Sequence, residues 1–108
     1  MKVDIAPDSK ELGIRTATFG AAKVRELVSA APADKNIRVN AVAPGLTDTA
    51  QPRYGMTEKQ ISERAESSPL GRIVRPEEIA DMALFLCSDH ASMVTGQVYH
   101  VNGGTYLP

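Results

Sequence analysis

The chain has 108 residues, of which 43% are hydrophobic and 23% charged, and its formal net charge is −1. This composition is typical of one globular domain and excludes an intrinsically disordered chain. The near-neutral charge and the lack of a basic run argue against nucleic acid as a partner. No apolar run approaches the roughly 20 residues that span a bilayer, so we expect no membrane partner.

The sequence has few histidine and cysteine residues that could bind a metal ion or form a disulfide bond. Cys87 is the only cysteine, which excludes an internal disulfide and a cysteine-rich zinc site. His90 and His100 have no acidic or cysteine neighbours at metal-ligand spacing, so we expect no metal site. The first residues, MKVDIAPDSKELG, lack the apolar core of a signal peptide. These features together predict a cytoplasmic location.

The N-terminal third is predicted to contain one helix. Residues 1–17 combine Pro7, Gly13 and scattered charge, and we expect a loop or weakly ordered segment that precedes a domain over 18–108. Apolar residues at positions i, i+3, i+4 and i+7 then predict a helix over 20–31, with this stripe: Val24, Leu27, Val28 and Ala31.

A strand and a long excursion follow. The stretch IRVNAVA alternates in polarity and predicts a strand over 37–43, which Pro44 and Gly45 end. Residues 46–74 form an excursion of the kind that often serves as a lid or a binding loop. Its centre carries TEKQ, a capping-box pattern that predicts a short helix over 58–67.

The C-terminal third is predicted to hold one helix and one strand. Pro76 suits the first position of a helix over 76–88, whose apolar stripe comprises Ile79, Met82, Ala83, Phe85 and Leu86. QVYHV then predicts a second strand over 97–101. A strand–helix–strand unit of this length is most simply a right-handed parallel crossover. We therefore predict an α/β fold: part of an open, doubly wound parallel sheet with flanking helices.

The stretch PGLTDT is the first candidate for a binding site. It follows the first predicted strand, and open α/β sheets bind ligands beyond the carboxyl ends of their strands. Gly45 allows close approach of the backbone, and Thr47 and Thr49 offer hydroxyl groups beside backbone amides. These groups suit a carboxamide or a phosphate. The stretch is also compatible with an ordinary Pro-Gly turn followed by solvated threonines.

Three stretches, in order and at family-like spacing, resemble the C-terminal part of classical short-chain dehydrogenases/reductases. They lie within residues 37–105 and read IRVNAVAPGLTDT, PLGRIVRPEEIADMALFLCSD and ASMVTGQVYHVNGG. The resemblance implies a Rossmann-type sheet, with 37–43 and 97–101 as its sixth and seventh strands and 46–74 as a mobile substrate loop. It also implies hydride transfer between NAD or NADP and a small carbonyl or alcohol substrate.

The resemblance assigns roles to particular residues. Four positions would stand where the family holds the nicotinamide carboxamide: Pro44, Gly45, Thr47 and Thr49. Thr49 matches the family's usual threonine, whereas a branched apolar residue is more usual at Thr47; a backbone contact there survives this change. Tyr54 and Met56 are candidates for the wall of the substrate pocket, and are equally compatible with ordinary loop contacts.

Other parts of the family's machinery have no counterpart in this sequence. No Gly-rich turn of the dinucleotide fingerprint is present, and no serine precedes a matching strand pattern. Phe19 and Lys23 have the spacing of the family's Tyr-x-x-x-Lys pair, but Phe19 has no hydroxyl, and the interval to Ile37 is short by more than one helical turn. The pair is either an altered remnant or a chance match. We assign no catalytic residue.

The incomplete machinery sets the functional expectation. We expect these 108 residues to be catalytically incomplete and to show no measurable binding of NAD(H) or NADP(H) by themselves. Because two strands do not make a self-contained sheet of this class, we expect a homo-oligomer or a complementary chain as partner. The alternatives are a non-enzymatic self-association module and a truncated gene product without activity.

Overall fold

The structure is a computed structural model that describes residues 21–31 and 33–107. Within these residues it contains three α-helices and two strands: α1 over 21–30, β1 over Ala41–Pro44, α2 over Glu58–Ser67, α3 over Pro76–Cys87 and β2 over Val98–Val101. Short 3-10 helices cover Ala33–Lys35, Gln51–Tyr54 and Asp89–Ala91. The predicted loop over 1–17 and Phe19 of the Phe-Lys pair lie outside the described residues.

The two strands pair with each other in a parallel sheet. The Ala41 N–H donates to the Gln97 carbonyl at 2.9 Å, and the Gly45 N–H donates to the Val101 carbonyl at 2.9 Å. The offset between partners is the same at both ends (41 to 97, 45 to 101), which is the signature of parallel strands. The predicted partial α/β fold is therefore confirmed.

The first strand begins four residues later than predicted, at 41 instead of 37. Before residue 41 the backbone keeps one bond between the two segments, from the Gly96 N–H to the Val39 carbonyl at 2.8 Å, and side chains supply the others. The Val39 N–H donates to the Thr95 hydroxyl at 3.0 Å. Asn40 donates from its side-chain amide to the Val94 carbonyl at 2.8 Å and accepts from the Gln97 N–H at 3.1 Å. These bonds satisfy the backbone locally without a strand ladder.

Helix α2 begins where the predicted capping box places it. The Thr57 hydroxyl accepts from the Gln60 N–H at 3.3 Å, and the Gln60 side chain accepts from the Thr57 N–H at 2.8 Å. Ile61 is the buried residue of this helix, and the helix ends at Ser67, before Pro69. The prediction over 58–67 is confirmed.

Helix α3 has the predicted start but a narrower buried face than its sequence pattern indicates. Pro76 occupies the first turn, and the helix ends at Cys87. Leu86 is buried, whereas Ala83 and Phe85 of the predicted stripe are exposed. Leu27 of the stripe in α1 is also exposed. Hydrophobic spacing predicts which residues share a face, but only contacts with other elements decide how much of that face is covered.

The chain divides into two units. Of the described residues, the first unit comprises 21–31, 33–41 and 94–98, and the second comprises 42–93 and 99–107. Val24 of α1 is buried in the first unit. The buried apolar side chains of the second unit are Ile61, Val74, Leu86 and Ala91. The second unit contains every site residue that the sequence singled out.

Candidate functional site

The predicted cofactor segment, residues 44–49, leaves the carboxyl end of β1 as expected. At its start, Gly45 lies against the turn that follows β2: a Cβ atom added to Gly45 would stand 2.7 Å from the Asn102 Cα. No real side chain tolerates this distance. The close approach that requires a glycine here is therefore between two backbone segments of the chain itself.

A second set of backbone hydrogen bonds holds the middle of the segment. Thr47 forms a parallel bridge with Val74, the buried residue two positions before α3. The Val74 N–H donates to the Leu46 carbonyl at 2.8 Å, and the Asp48 N–H donates to the Val74 carbonyl at 2.8 Å. Residues 46–48 are thus held on one side by hydrogen bonds to extended backbone.

The two threonines differ in what they can offer to a ligand. The Thr47 hydroxyl donates to the Gly45 carbonyl at 2.9 Å, so its proton is used and its lone pairs remain as acceptors. Thr49 is exposed, and a free threonine hydroxyl is both a donor and an acceptor. A carboxamide needs one partner of each kind, so this donor set fits it. The prediction that Pro44, Gly45, Thr47 and Thr49 contact the nicotinamide stays a prediction.

The two candidates for the substrate wall lie at the next turn of the chain. Tyr54 ends the 3-10 helix over Gln51–Tyr54 and is 87% exposed, whereas Met56 is half-buried. The Met56 N–H donates to the Pro52 carbonyl at 2.9 Å, which fixes the turn between them. An aromatic ring this exposed can be a contact surface for a ligand, and its role as substrate wall stays a prediction.

Arg53 is an element of this region that sequence reasoning missed. Its guanidinium lies 2.9 Å from the Asp48 carboxylate and 2.8 Å from the Glu58 carboxylate, and it donates to the Thr49 carbonyl at 2.7 Å. The hydrogen bond to Asp48, followed by that to Glu58, raises the pKa of Arg53. The spacing of these residues follows no helical or strand period, so the sequence carried no signal for the cluster.

A cavity of the second unit lies elsewhere, between the stretch before α3 and the turn after β2. It has a volume of about 500 Å³ and is lined mainly by apolar side chains, among them Leu70, Ile73, Met82 and Val101. None of residues 44–49 lines it, so this cavity is separate from the predicted cofactor segment.

An ion pair closes one wall of that cavity. Arg72 and Arg75 both bind the Glu78 carboxylate, and the Arg75 N–H donates to it at 2.9 Å, which caps α3. The Arg72 guanidinium, helped by this backbone N–H, lowers the pKa of Glu78 to about 2. Two guanidinium groups share one carboxylate, so this cluster keeps one net positive charge.

The turn after β2 contains two adjacent glycines. Gly103 and Gly104 both have left-handed backbone, with φ of 63° and 84°. The Ser68 hydroxyl is buried and donates to the Gly103 carbonyl at 3.3 Å. This bond joins the end of α2 to the turn. Among the described residues, no group of three or more histidine, cysteine, aspartate or glutamate side chains could hold a metal ion.

Comparison with known proteins identifies the family. The family described as enoyl-(acyl carrier protein) reductase matches residues 20–106. The chain belongs to the short-chain dehydrogenase/reductase family. Its predicted membership is thus confirmed, and the Rossmann-type sheet of this family accounts for the parallel pair of strands.

Three individual relatives support the membership in the short-chain dehydrogenase/reductase family. The chain is 47% identical to a 3-oxoacyl-(acyl-carrier-protein) reductase of Aquifex aeolicus over 74 residues, 68% of this chain and 29% of that protein. A short-chain dehydrogenase/reductase from Brucella melitensis, described as a glucose/ribitol dehydrogenase, matches with a TM-score of 0.64 and 36% identity over 84% of this chain and 34% of that one. A 7α-hydroxysteroid dehydrogenase complexed with NADH and 7-oxo glycochenodeoxycholic acid matches with a TM-score of 0.73 and 37% identity, over 81% of this chain and 34% of that one.

The lengths of these relatives define what the chain contains. It spans about a third or less of each protein that it matches, in agreement with the prediction of a partial Rossmann-type domain. The relatives are oxidoreductases by name, and one was solved with bound NADH. Along the described part of the chain, no helix combines the length and apolarity needed to cross a bilayer.

Proposed function

We propose that this chain supplies the nicotinamide-facing edge of an NAD- or NADP-dependent oxidoreductase that transfers hydride between the cofactor and a small carbonyl or alcohol substrate. The observation that carries the proposal is the segment 44–49, which leaves the carboxyl end of β1 and is fixed there by the Thr47–Val74 bridge. Ligands of open parallel sheets bind at this edge.

The groups of this segment suit the nicotinamide carboxamide. Thr49 supplies an exposed hydroxyl, and Thr47 supplies acceptor lone pairs together with its backbone. A bound nicotinamide cofactor supplies or accepts the hydride. The contribution of this chain is to orient the carboxamide, and with it the face of the ring that meets the substrate.

The chemistry also needs groups that this chain lacks. Neither a Gly-rich phosphate-binding turn nor a Tyr-x-x-x-Lys pair is present in the sequence. Without them the dinucleotide is not held and no group donates a proton to the substrate oxygen. We therefore propose that the chain works only with a partner or additional residues that provide these parts.

Reconstitution tests this proposal. The chain is mixed with the Aquifex aeolicus reductase from which the stretch shared with this chain has been removed, and consumption of NADH or NADPH is followed with small ketones as substrates. We expect turnover in the mixture and none from either piece alone. Co-elution of the two pieces without turnover would contradict the proposal, and titration of the chain alone should show no saturable cofactor fluorescence.

A pair of matched variants assigns the contact. Thr49→Val removes a hydroxyl at nearly constant volume, and we expect it to raise the KM for the cofactor about fivefold, the value of one ordinary hydrogen bond. The control, Ser92→Ala, removes the hydroxyl of another exposed residue, just after the 3-10 helix Asp89–Ala91, and should leave the KM unchanged. Equal effects of the two variants would remove Thr49 from the cofactor contact.

A non-enzymatic association module is the second candidate, and the outer surface of α3 favours it. Leu84 is 71% exposed and Phe85 is also exposed, so one helix presents two large apolar side chains to solvent. Such side chains are often covered by a partner. Sedimentation velocity should show self-association that Leu84→Lys weakens, and a stable, well-folded monomer would count against this role. The cytoplasmic location stays a prediction.

A further inference from the structure

We propose that Arg53 is a positioning residue: its guanidinium ties the cofactor segment 44–49 to the first turn of α2, so that both move as one body. The functional role of this coupling rests on the proposed function, because α2 lies in the predicted substrate loop. The coupling itself rests only on the geometry around Arg53.

Few other contacts hold the residues between the cofactor segment 44–49 and α2. Residues 50–57 connect Thr49 to α2, and they comprise the 3-10 helix Gln51–Tyr54 and four further residues. The Thr47–Val74 bridge lies before this connection, and the capping box of α2 lies at its end. Arg53 stands in the middle, with its N–H donated to the Ala50 carbonyl at 3.1 Å. Its own backbone is thus fixed.

The guanidinium reaches in both directions from this position. One terminal nitrogen lies 2.9 Å from Asp48 Oδ1 and donates to the Thr49 carbonyl at 2.7 Å. The Nε donates to Glu58 Oε1 at 2.8 Å, and Glu58 is the first residue of α2. The planar fork of arginine points its donors in different directions, so one side chain can hold two carboxylates on separate elements.

The contact of Arg53 with two carboxylates differs from a single exposed ion pair. Two carboxylates converge on one guanidinium, so removal of Arg53 leaves Asp48 and Glu58 close together without a counter-charge. An attraction then becomes a repulsion between the cofactor segment and α2. A lysine at position 53 would keep the charge but could not satisfy both carboxylates and the Thr49 carbonyl from one fixed plane.

Amide hydrogen exchange of the full chain tests this coupling without any cofactor. Two reporters flank Arg53: the Asp48 N–H, bound to the Val74 carbonyl, and the Ile61 N–H, bound to the Thr57 carbonyl. We expect Arg53→Met, which keeps an unbranched stem, to speed exchange at both reporters by about 3- to 10-fold. Exchange in α3 should stay unchanged.

A matched control and a conservative variant distinguish the effect of the position of Arg53 from the effect of its charge. Lys59→Met removes a cation from α2, where Lys59 lies 3.9 Å from Glu63 and is highly exposed. It should leave both reporters unchanged. Arg53→Lys should restore only part of the protection. Faster exchange across the whole chain, α3 included, would reduce Arg53 to a general stabilising role, and unchanged reporters would overturn the proposal.

A double-mutant cycle keeps the test decisive if Arg53→Met does not fold. Asp48→Asn removes one anchor and leaves Arg53 in place, yet we expect faster exchange at Ile61, on the far side of the connection. In the Arg53→Lys background the same change should have a smaller effect, because the two residues act as a unit. Additive effects would overturn the proposal. A failed reconstitution with a positive exchange result would reject the enzymatic role alone.

Discussion

Leu86 and Leu84 are a matched pair for testing what stabilises the second unit. They lie two residues apart in α3, yet Leu86 is 8% exposed and Leu84 is 71% exposed. Replacement of either leucine by alanine changes helix propensity by the same small amount. The difference between the two variants therefore isolates the burial of the side chain.

The magnitudes follow from those exposures. Full burial of a leucine contributes about 1.5–3 kcal/mol, and the cavity left by its removal adds to the loss. We expect Leu86→Ala to lower the free energy of unfolding by about 2.5–4 kcal/mol. Leu84 has under a third of its surface covered, so Leu84→Ala should cost about 0.5 kcal/mol. Leu86→Met, which keeps the volume, should cost less than about 1.5 kcal/mol.

Urea denaturation followed by far-UV circular dichroism measures these differences, at a protein concentration low enough that self-association is absent. The milder methionine variant keeps the comparison measurable if Leu86→Ala is already unfolded without urea. Equal losses for the two alanine variants, or a larger loss for Leu84→Ala, would refute the reasoning. They would mean that contacts other than those within the second unit determine which face of α3 is covered.

Three further predictions address charge, backbone conformation and the missing catalytic pair. The Arg72 guanidinium lowers the pKa of Glu78 to about 2, so the ion pair stabilises the fold above the ordinary pKa of a glutamate, and this stability is lost as the pH falls from about 4.5 towards 2. Glu78→Gln should make the melting temperature depend less on pH over that range. An unchanged slope of melting temperature against pH would contradict the assignment. Gly103 has a φ of 63°, so Gly103→Ala should lower the free energy of unfolding by about 1–2 kcal/mol. Gly55 has a φ of −129° and open space around it, so Gly55→Ala should leave the free energy of unfolding unchanged in the same urea titration. Similar losses for the two variants would contradict this reasoning. Phe19→Tyr alone should create no NAD(P)H-dependent turnover, and activity in that single variant would show that the interval to the first strand has been misjudged.

Local capping signals allowed much of the fold to be predicted. The capping box at Thr57 and Gln60 defines the start of α2, and Pro76 defines the start of α3. Each signal acts between residues at most three positions apart, so its hydrogen bonds form with little help from the rest of the chain. The two strands were predicted from short runs of alternating polarity that end at Pro and Gly. Their parallel order was predicted from the length of the helical connection between them.

The site was predictable only in part. The carboxyl end of β1 was recognised because a strand followed by Pro-Gly is a local pattern, and Gly45 was singled out because a glycine lets the backbone approach a ligand closely. The structure shows that the close approach is to Asn102, far away in the chain. Residues that meet only after the strands have paired leave no periodic trace in the sequence, and the position of Asn102 depends on the register of the sheet.

The sequence by itself indicated the family, the starts of α2 and α3, and a predicted cofactor segment after β1, because these depend on contiguous motifs. Only the tertiary structure decided that β1 begins at 41, that Leu86 and not Phe85 is buried, and that Arg53 joins two separate elements. Each of these depends on contacts between parts of the chain that are distant in sequence or follow no fixed spacing. Such contacts are set by how the elements pack, and no local pattern of residues encodes them.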